Sequence, residues 1–65
     1  MPEIYVHMVA GRSLEQKRGL IRDITDAVVR HIKVDPAAVM VQIVESAKEN
    51  KAKGGVLFSE RPPVE

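Results

Sequence analysis

Hydrophobic and polar side chains alternate from the second residue of the chain to the ninth. One face carries Ile4, Val6 and Met8, and the opposite face carries Glu3, Tyr5, His7 and Val9. A period of two is the side-chain period of a β-strand, so the pattern predicts a strand over residues 2–9. Pro2 is the first residue of that strand, a position where proline is tolerated because no backbone N–H has to donate a hydrogen bond to a neighbouring strand.

The period then changes to that of a helix. Ser13 and Gln16 have the spacing of a capping box, which starts a helix. The predicted helix runs to about Ile32 and stops before Pro36, because the residue preceding a proline avoids the α region. One apolar stripe at helical spacing contains Leu20, Ile21, Ile24, Ala27, Val28 and Ile32.

A second alternating segment, Val39–Glu45, predicts a second strand. Residues 46–53 form a polar turn segment, and Gly54-Gly55 predicts a tight turn before the short apolar arm 56–58. Residues 59–65 show no periodicity and are expected to form a tail of a single domain, 1–65.

The order of elements predicts an α/β (α+β) fold, a β–α–β unit with parallel strands followed by a short C-terminal β-hairpin. A crossover helix of this length makes the two long strands parallel. The helix covers one sheet face and leaves the other uncovered, with Tyr5, Val9, Met40 and Val44 on it. Two strands alone are not a stable sheet, so the chain is expected to assemble as an oligomer.

Composition narrows the possible chemistry. The chain has no Cys, so it has neither a disulfide nor a thiolate metal site. His7 and His31 lie far apart without ligand-like spacing, so no metal and no cofactor are expected. The net charge of +1 and the scarcity of aromatic residues argue against a nucleic-acid-binding module.

The hydrophobic segments are short. No apolar run approaches the ~18 residues of a membrane span, so no membrane partner is expected. No charged segment followed by an apolar one suggests a signal peptide, and the expected location is the cytoplasm.

Pro2 is the main candidate for chemistry. Cells generally remove an initiator Met when the next residue is small, and the mature chain would then begin with a secondary amine. A free α-amino group titrates near ~8, and modest desolvation or a nearby cation brings it toward the range of a general base at neutral pH.

The spacing Pro2-(x)8-Gly11-Arg12-Ser13-(x)2-Gln16-Lys17, with Asn50-x-Ala52-x-Gly54-Gly55 further on, closely resembles the 4-oxalocrotonate tautomerase family. The resemblance covers the chain from Pro2 to about Leu57. It implies a tautomerase or isomerase that interconverts the enol and keto forms of a small 2-oxo or 2-hydroxy-dienoic acid. It also implies assembly as a hexamer, a trimer of dimers.

The resemblance assigns roles to particular residues. Pro2 matches the general base, and Arg12 matches an arginine that a neighbouring subunit supplies to bind a substrate carboxylate or carbonyl. Val9 matches a position that lines the site. Two substrate-binding positions differ from the family pattern: Met40 stands where a second arginine is usual, and Lys51 stands where an aromatic residue is usual.

These two departures leave alternatives open. An apolar Met40 would face an apolar or shorter substrate end, and Lys51 could supply a replacement cation. The chain could also be a non-catalytic or partner-dependent subunit of a mixed hexamer. A hydratase or dehalogenase of the same superfamily is a further alternative, although the sequence shows no well-placed carboxylate to activate water.

Overall fold

The computed structural model describes residues 1–60, so residues 61–65 of the predicted tail 59–65 lie outside it. The strands are β1 (Glu3–Val9), β2 (Met40–Ser46), β3 (Ala52–Lys53) and β4 (Val56–Leu57). A single α-helix, α1 (Leu14–Ile32), lies between β1 and β2. Short 3₁₀ turns occupy Pro36–Ala38, Lys48–Asn50 and Phe58–Glu60. The predicted β–α–β unit with a C-terminal hairpin is confirmed.

Strands β1 and β2 are parallel, as predicted. Their register places Glu3 opposite Met40 at one end and Val9 opposite Ser46 at the other. The ladder continues past both ends of β1. The Met40 N–H donates to the Pro2 carbonyl at 3.0 Å, and the Ala10 N–H donates to the Ser46 carbonyl at 2.8 Å. Pro2 is therefore fixed beside the start of β2.

The predicted capping box begins α1. The Gln16 N–H donates to Ser13 Oγ at 3.1 Å, and the Ser13 N–H donates to Gln16 Oε1 at 3.0 Å. At the other end, Lys33 adopts the left-handed conformation with φ 65° and donates its N–H to the Val29 carbonyl at 3.0 Å. Both helix ends thus have partners for backbone groups that the helix leaves unsatisfied.

The helix packs on one face of the β1–β2 pair. On that face the apolar side chains of both strands are half-buried, whereas Glu3, Tyr5 and His7 on the opposite face are exposed. Lys17 crosses from the helix to β2 and pairs with Glu45 at 3.2 Å. Within residues 1–60 no residue is fully buried, and no helix is long and apolar enough to cross a membrane. The described chain leaves its apolar residues incompletely covered.

Two members of the predicted apolar stripe, Leu20 and Ile32, are 36% and 59% exposed. The predicted start of β2 and the predicted end of the hairpin arm are wrong in detail. Val39 precedes β2 rather than starting it, since the Asp35 carboxylate caps a 3₁₀ turn that ends just before it. Phe58 starts a third 3₁₀ turn instead of extending the hairpin arm.

The hairpin itself has the geometry that its glycines allow. Ala52 pairs with Leu57 and Lys53 with Val56, which leaves Gly54 and Gly55 as the two turn residues. Their φ values are 62° and 82°. Such positive φ values at both central positions are those of a type I′ turn, which suits glycine.

Candidate active site

Pro2 lies at the start of β1, half-buried and next to β2. Its carbonyl accepts the Met40 N–H, so the backbone on the carboxyl side of the proline is held by the sheet. Met1, which is joined to the proline nitrogen, is 86% exposed. Removal of Met1 would therefore uncover the nitrogen of Pro2 without removing a packed side chain.

Arg12 lies at the opposite end of β1, in the turn that leads into the helix. Gly11 makes this turn with φ 132°, a region that side-chain-bearing residues rarely adopt. The capping box of the next residue, Ser13, then fixes where the helix begins. Arg12 is exposed and borders an open groove of about 210 Å³, whose other lining residues are Met8, Gln16, Lys17 and Leu20.

The two ends of β1 are too far apart to form one site within a single chain. β1 has seven residues, and a rise of about 3.3 Å per residue separates its ends by roughly 20 Å. That distance exceeds the combined length of a small organic acid and an arginine side chain. A site that uses both Pro2 and Arg12 requires two chains.

The predicted site residues accordingly fall into separate groups. Met40 lies beside Pro2, because the register of the sheet places Met40 opposite Glu3, the residue that follows Pro2. Val9 and Arg12 lie together at the far end of β1. Lys51 precedes the hairpin and belongs to neither group by its described contacts.

Lys51 is held by the segment that follows β4. Its carbonyl accepts the Phe58 N–H at 2.8 Å, and its Nζ lies 6.0 Å from the centre of the Phe58 ring. This is the outer limit of a cation–π contact. The ammonium of Lys51 is thus directed at an aromatic ring of its own chain.

The residues beside Pro2 include a pair that the sequence alone did not single out as functional. The Tyr5 hydroxyl donates to Glu3 Oε1 at 2.7 Å on the open face of the sheet. This hydrogen bond and the charge of Glu3 raise the pKa of Tyr5 above its ordinary value. The i, i+2 spacing on one strand face is the signal that could have predicted the contact.

Met40 and Tyr5 also give the Pro2 end of the sheet an apolar surface. Their side chains are 43% and 50% exposed, respectively. Among residues 1–60 no three His, Asp or Glu side chains are grouped so as to hold a metal ion. On the exposed face of β1 and β2, the side chains nearest to Pro2 along the strands are those of Glu3, Tyr5 and Met40, a carboxylate, a phenol and a thioether.

Comparisons with known proteins agree with the fold. A family model described as tautomerase enzyme matches residues 2–61. A probable tautomerase of Bradyrhizobium diazoefficiens is 52% identical over 61 residues, covering 94% of this chain and 91% of the relative. A 2-hydroxymuconate tautomerase of Pseudomonas putida is 41% identical over 59 residues, covering 91% of this chain and 94% of the relative.

Solved structures give the same result. A 4-oxalocrotonate tautomerase homologue superposes with a TM-score of 0.89 at 33% identity, covering 97% of this chain and 100% of that one. A heterohexamer 4-oxalocrotonate tautomerase from Chloroflexus aurantiacus superposes with a TM-score of 0.84 at 32% identity, covering 92% and 97% of the two chains.

Proposed function

The chain belongs to the tautomerase family, and on that basis we propose that it interconverts the enol and keto forms of a small 2-oxo or 2-hydroxy-dienoic acid. In this proposal Pro2, after removal of Met1, is the general base. The observation that supports it most is the position of Pro2, the first residue of the matched region, held by β2 at the edge of the sheet. We expect the protein to act in the cytoplasm without a cofactor.

The proposed reaction moves one proton and changes no oxidation state. The amine of Pro2 accepts the proton of the enol hydroxyl, and electron density moves from that oxygen into the carbon framework. The protonated amine then returns the proton to carbon, which completes the keto form. A secondary amine suits both steps because it can be protonated and deprotonated near neutral pH.

Arg12 of a neighbouring chain binds the acid in this proposal. A guanidinium offers a planar pair of donors to a carboxylate and stabilises the negative charge that develops on the enolate oxygen. Val9 of the same neighbouring chain lies at the Arg12 end of its strand and supplies part of the apolar wall of this shared site. Such a wall limits access of water to the amine and favours its neutral form.

The separation of Pro2 from Arg12 supports an oligomer in which each site is shared. The incompletely covered apolar residues of the described chain support the same conclusion. We propose a homohexamer arranged as a trimer of dimers. The test is native mass spectrometry of the chain expressed alone, which should give an active oligomer of six identical subunits.

A second candidate is a partner-dependent subunit of a mixed hexamer. It is favoured by Met40, which brings no cation to Pro2, and by Lys51, whose ammonium faces Phe58. One solved structure to which the chain is similar is a heterohexamer. A chain that remains monomeric and inactive until it is co-expressed with a homologue would support this alternative.

The catalytic proposal is tested by the ketonisation of phenylenolpyruvate and of 2-hydroxymuconate, followed by absorbance. Protein whose mass shows that it starts at Pro2 should accelerate at least one of these reactions. The Pro2→Ala variant should be slower by a factor of about 10² or more, the range for loss of a general base. Equal rates for the two proteins would exclude the proline mechanism.

A further inference from the structure

Glu3 places a carboxylate next to the proposed base. Bond lengths alone keep the Glu3 side chain within roughly 9 Å of the Pro2 nitrogen, since adjacent Cα atoms are 3.8 Å apart. Glu3 lies on the open face of the sheet and is exposed. The negative charge of Glu3 is therefore near the amine whatever rotamer it takes.

Tyr5 fixes this carboxylate further. Its hydroxyl donates to Glu3 Oε1 at 2.7 Å, which ties the carboxylate to the same strand face. Across the sheet, Met40 is the register partner of Glu3 and offers only a thioether. Within the β1–β2 pair, Glu3 is thus the charged group nearest to Pro2.

From this arrangement, and resting on the proposed function of Pro2, we propose that Glu3 is a positioning residue that acts on the amine through its charge. The carboxylate stabilises the protonated amine and disfavours a second carboxylate on the substrate. The substrate class that fits is an enol acid with one carboxylate and an uncharged, apolar far end. Met40 and Tyr5 provide the surface that such an end would contact.

Other charged groups lie at the same end of the fold. α1 returns toward the strand starts, and its last turn and the following link carry His31, Lys33 and Asp35, all of them exposed. The Asp35 carboxylate accepts the Ala37 N–H at 2.9 Å. On the open face, His7 follows Tyr5 and is exposed as well. These groups are the same in every Glu3 variant, so their effect on the pKa of the Pro2 amine cancels when the variants are compared.

The expected effect is measurable but modest. A unit charge at this distance, acting through a dielectric constant near that of water, changes the pKa of an amine by about half a unit. The sign follows from the charge: a carboxylate raises the pH at which the amine loses its proton. The ascending limb of kcat/KM against pH reports deprotonation of the base in the free enzyme. With Glu3 present, this limb should therefore lie at higher pH than it would without Glu3.

The test compares pH–rate profiles with a monocarboxylate, phenylenolpyruvate. Glu3→Gln keeps the shape of the side chain and can still accept the hydrogen bond from the Tyr5 hydroxyl. It should move the ascending limb to lower pH by about half a unit. Glu3→Lys should move it about twice as far. Asp23→Asn is the control, because it removes one carboxylate from an exposed position in the middle of α1. The shifts should shrink at 1 M salt, where charges are screened within about 3 Å.

The same variants test substrate selection. Glu3→Gln should raise kcat/KM for the dicarboxylate 2-hydroxymuconate, relative to phenylenolpyruvate, by about two- to threefold. Native mass spectrometry should show the same assembly for all variants. If Glu3→Gln does not assemble, Glu3→Ala replaces it, because it removes the same charge and should move the ascending limb in the same direction by a similar amount.

The outcomes separate this inference from the proposed function. A shift of the ascending limb to lower pH in Glu3→Gln, and a larger shift in the same direction in Glu3→Lys, would support the role of Glu3. Active variants whose limbs coincide with that of the unaltered protein would overturn it while leaving Pro2 as the base. If instead the Pro2→Ala variant is as active as the unaltered protein, the proposed function itself fails.

Discussion

Two inactive variants of this chain should restore activity to each other when their subunits are mixed. Pro2→Ala removes the proposed base, and Arg12→Ala removes the proposed carboxylate ligand. These residues flank a seven-residue strand, whose ends are roughly 20 Å apart. One chain therefore cannot bring both groups to one small substrate, so the proposed site takes each group from a different chain.

The amount of activity recovered follows from random mixing. At equal amounts, half of the sites receive an intact Pro2, and half of those receive an intact Arg12 from the neighbour. About a quarter of the sites should therefore be complete in a symmetric oligomer. The two variants are unfolded together, refolded and assayed for ketonisation of phenylenolpyruvate, and native mass spectrometry confirms the mixed subunits.

A control separates complementation from simple refolding. Each variant refolded alone should show no more than its residual rate, and a mixture prepared without unfolding should gain activity only as subunits exchange. If the refolded mixture has only the sum of the two residual rates, the two groups belong to one chain or do not cooperate, and the shared-site reasoning is refuted.

Three further predictions concern local contacts. Ser13→Ala should destabilise the protein by about 1 kcal/mol, a fall in melting temperature of roughly 4–8 °C, whereas the exposed Ser59→Ala should have little effect. Gly11→Ala should cost about 1–3 kcal/mol in denaturant unfolding because φ is 132°, whereas Gly19→Ala in the helix should stabilise by about 0.5–1 kcal/mol. In a spectrophotometric titration, Tyr5 should ionise above its ordinary pKa, and Glu3→Gln should lower that value; an unchanged midpoint would contradict the Glu3–Tyr5 contact.

Much of the fold could be predicted because its signals are local. The alternation of residues 2–9 and the capping box at Ser13 each specify one element, and both elements are present. The length of the helical connection then required parallel strands. The 3₁₀ turns were not predicted, because three residues are too few to show a period.

The site was only partly predictable for a physical reason. The sequence named Pro2 and Arg12 as candidates, and the family resemblance implied that Arg12 acts in the site of a neighbouring subunit. The seven-residue strand between them gives a physical reason for that expectation, because it separates the two residues by roughly 20 Å. The Glu3–Tyr5 hydrogen bond was missed, because alternation gives the face of a side chain but not its rotamer. The orientation of Lys51 toward Phe58 depends on how the chain turns after β4, for which the sequence offers no periodic signal.

The central claim is that the free amine of Pro2 is the base. It is tested most directly by synthesising two chains, residues 1–65 and residues 2–65, and measuring intact mass and ketonisation rate on the same samples. The two differ only by Met1, whose presence makes the Pro2 nitrogen an amide and whose absence leaves it a free amine. We predict that the chain starting at Pro2 is faster by a factor of about 10² or more. Equal rates for the two assembled chains would contradict the claim.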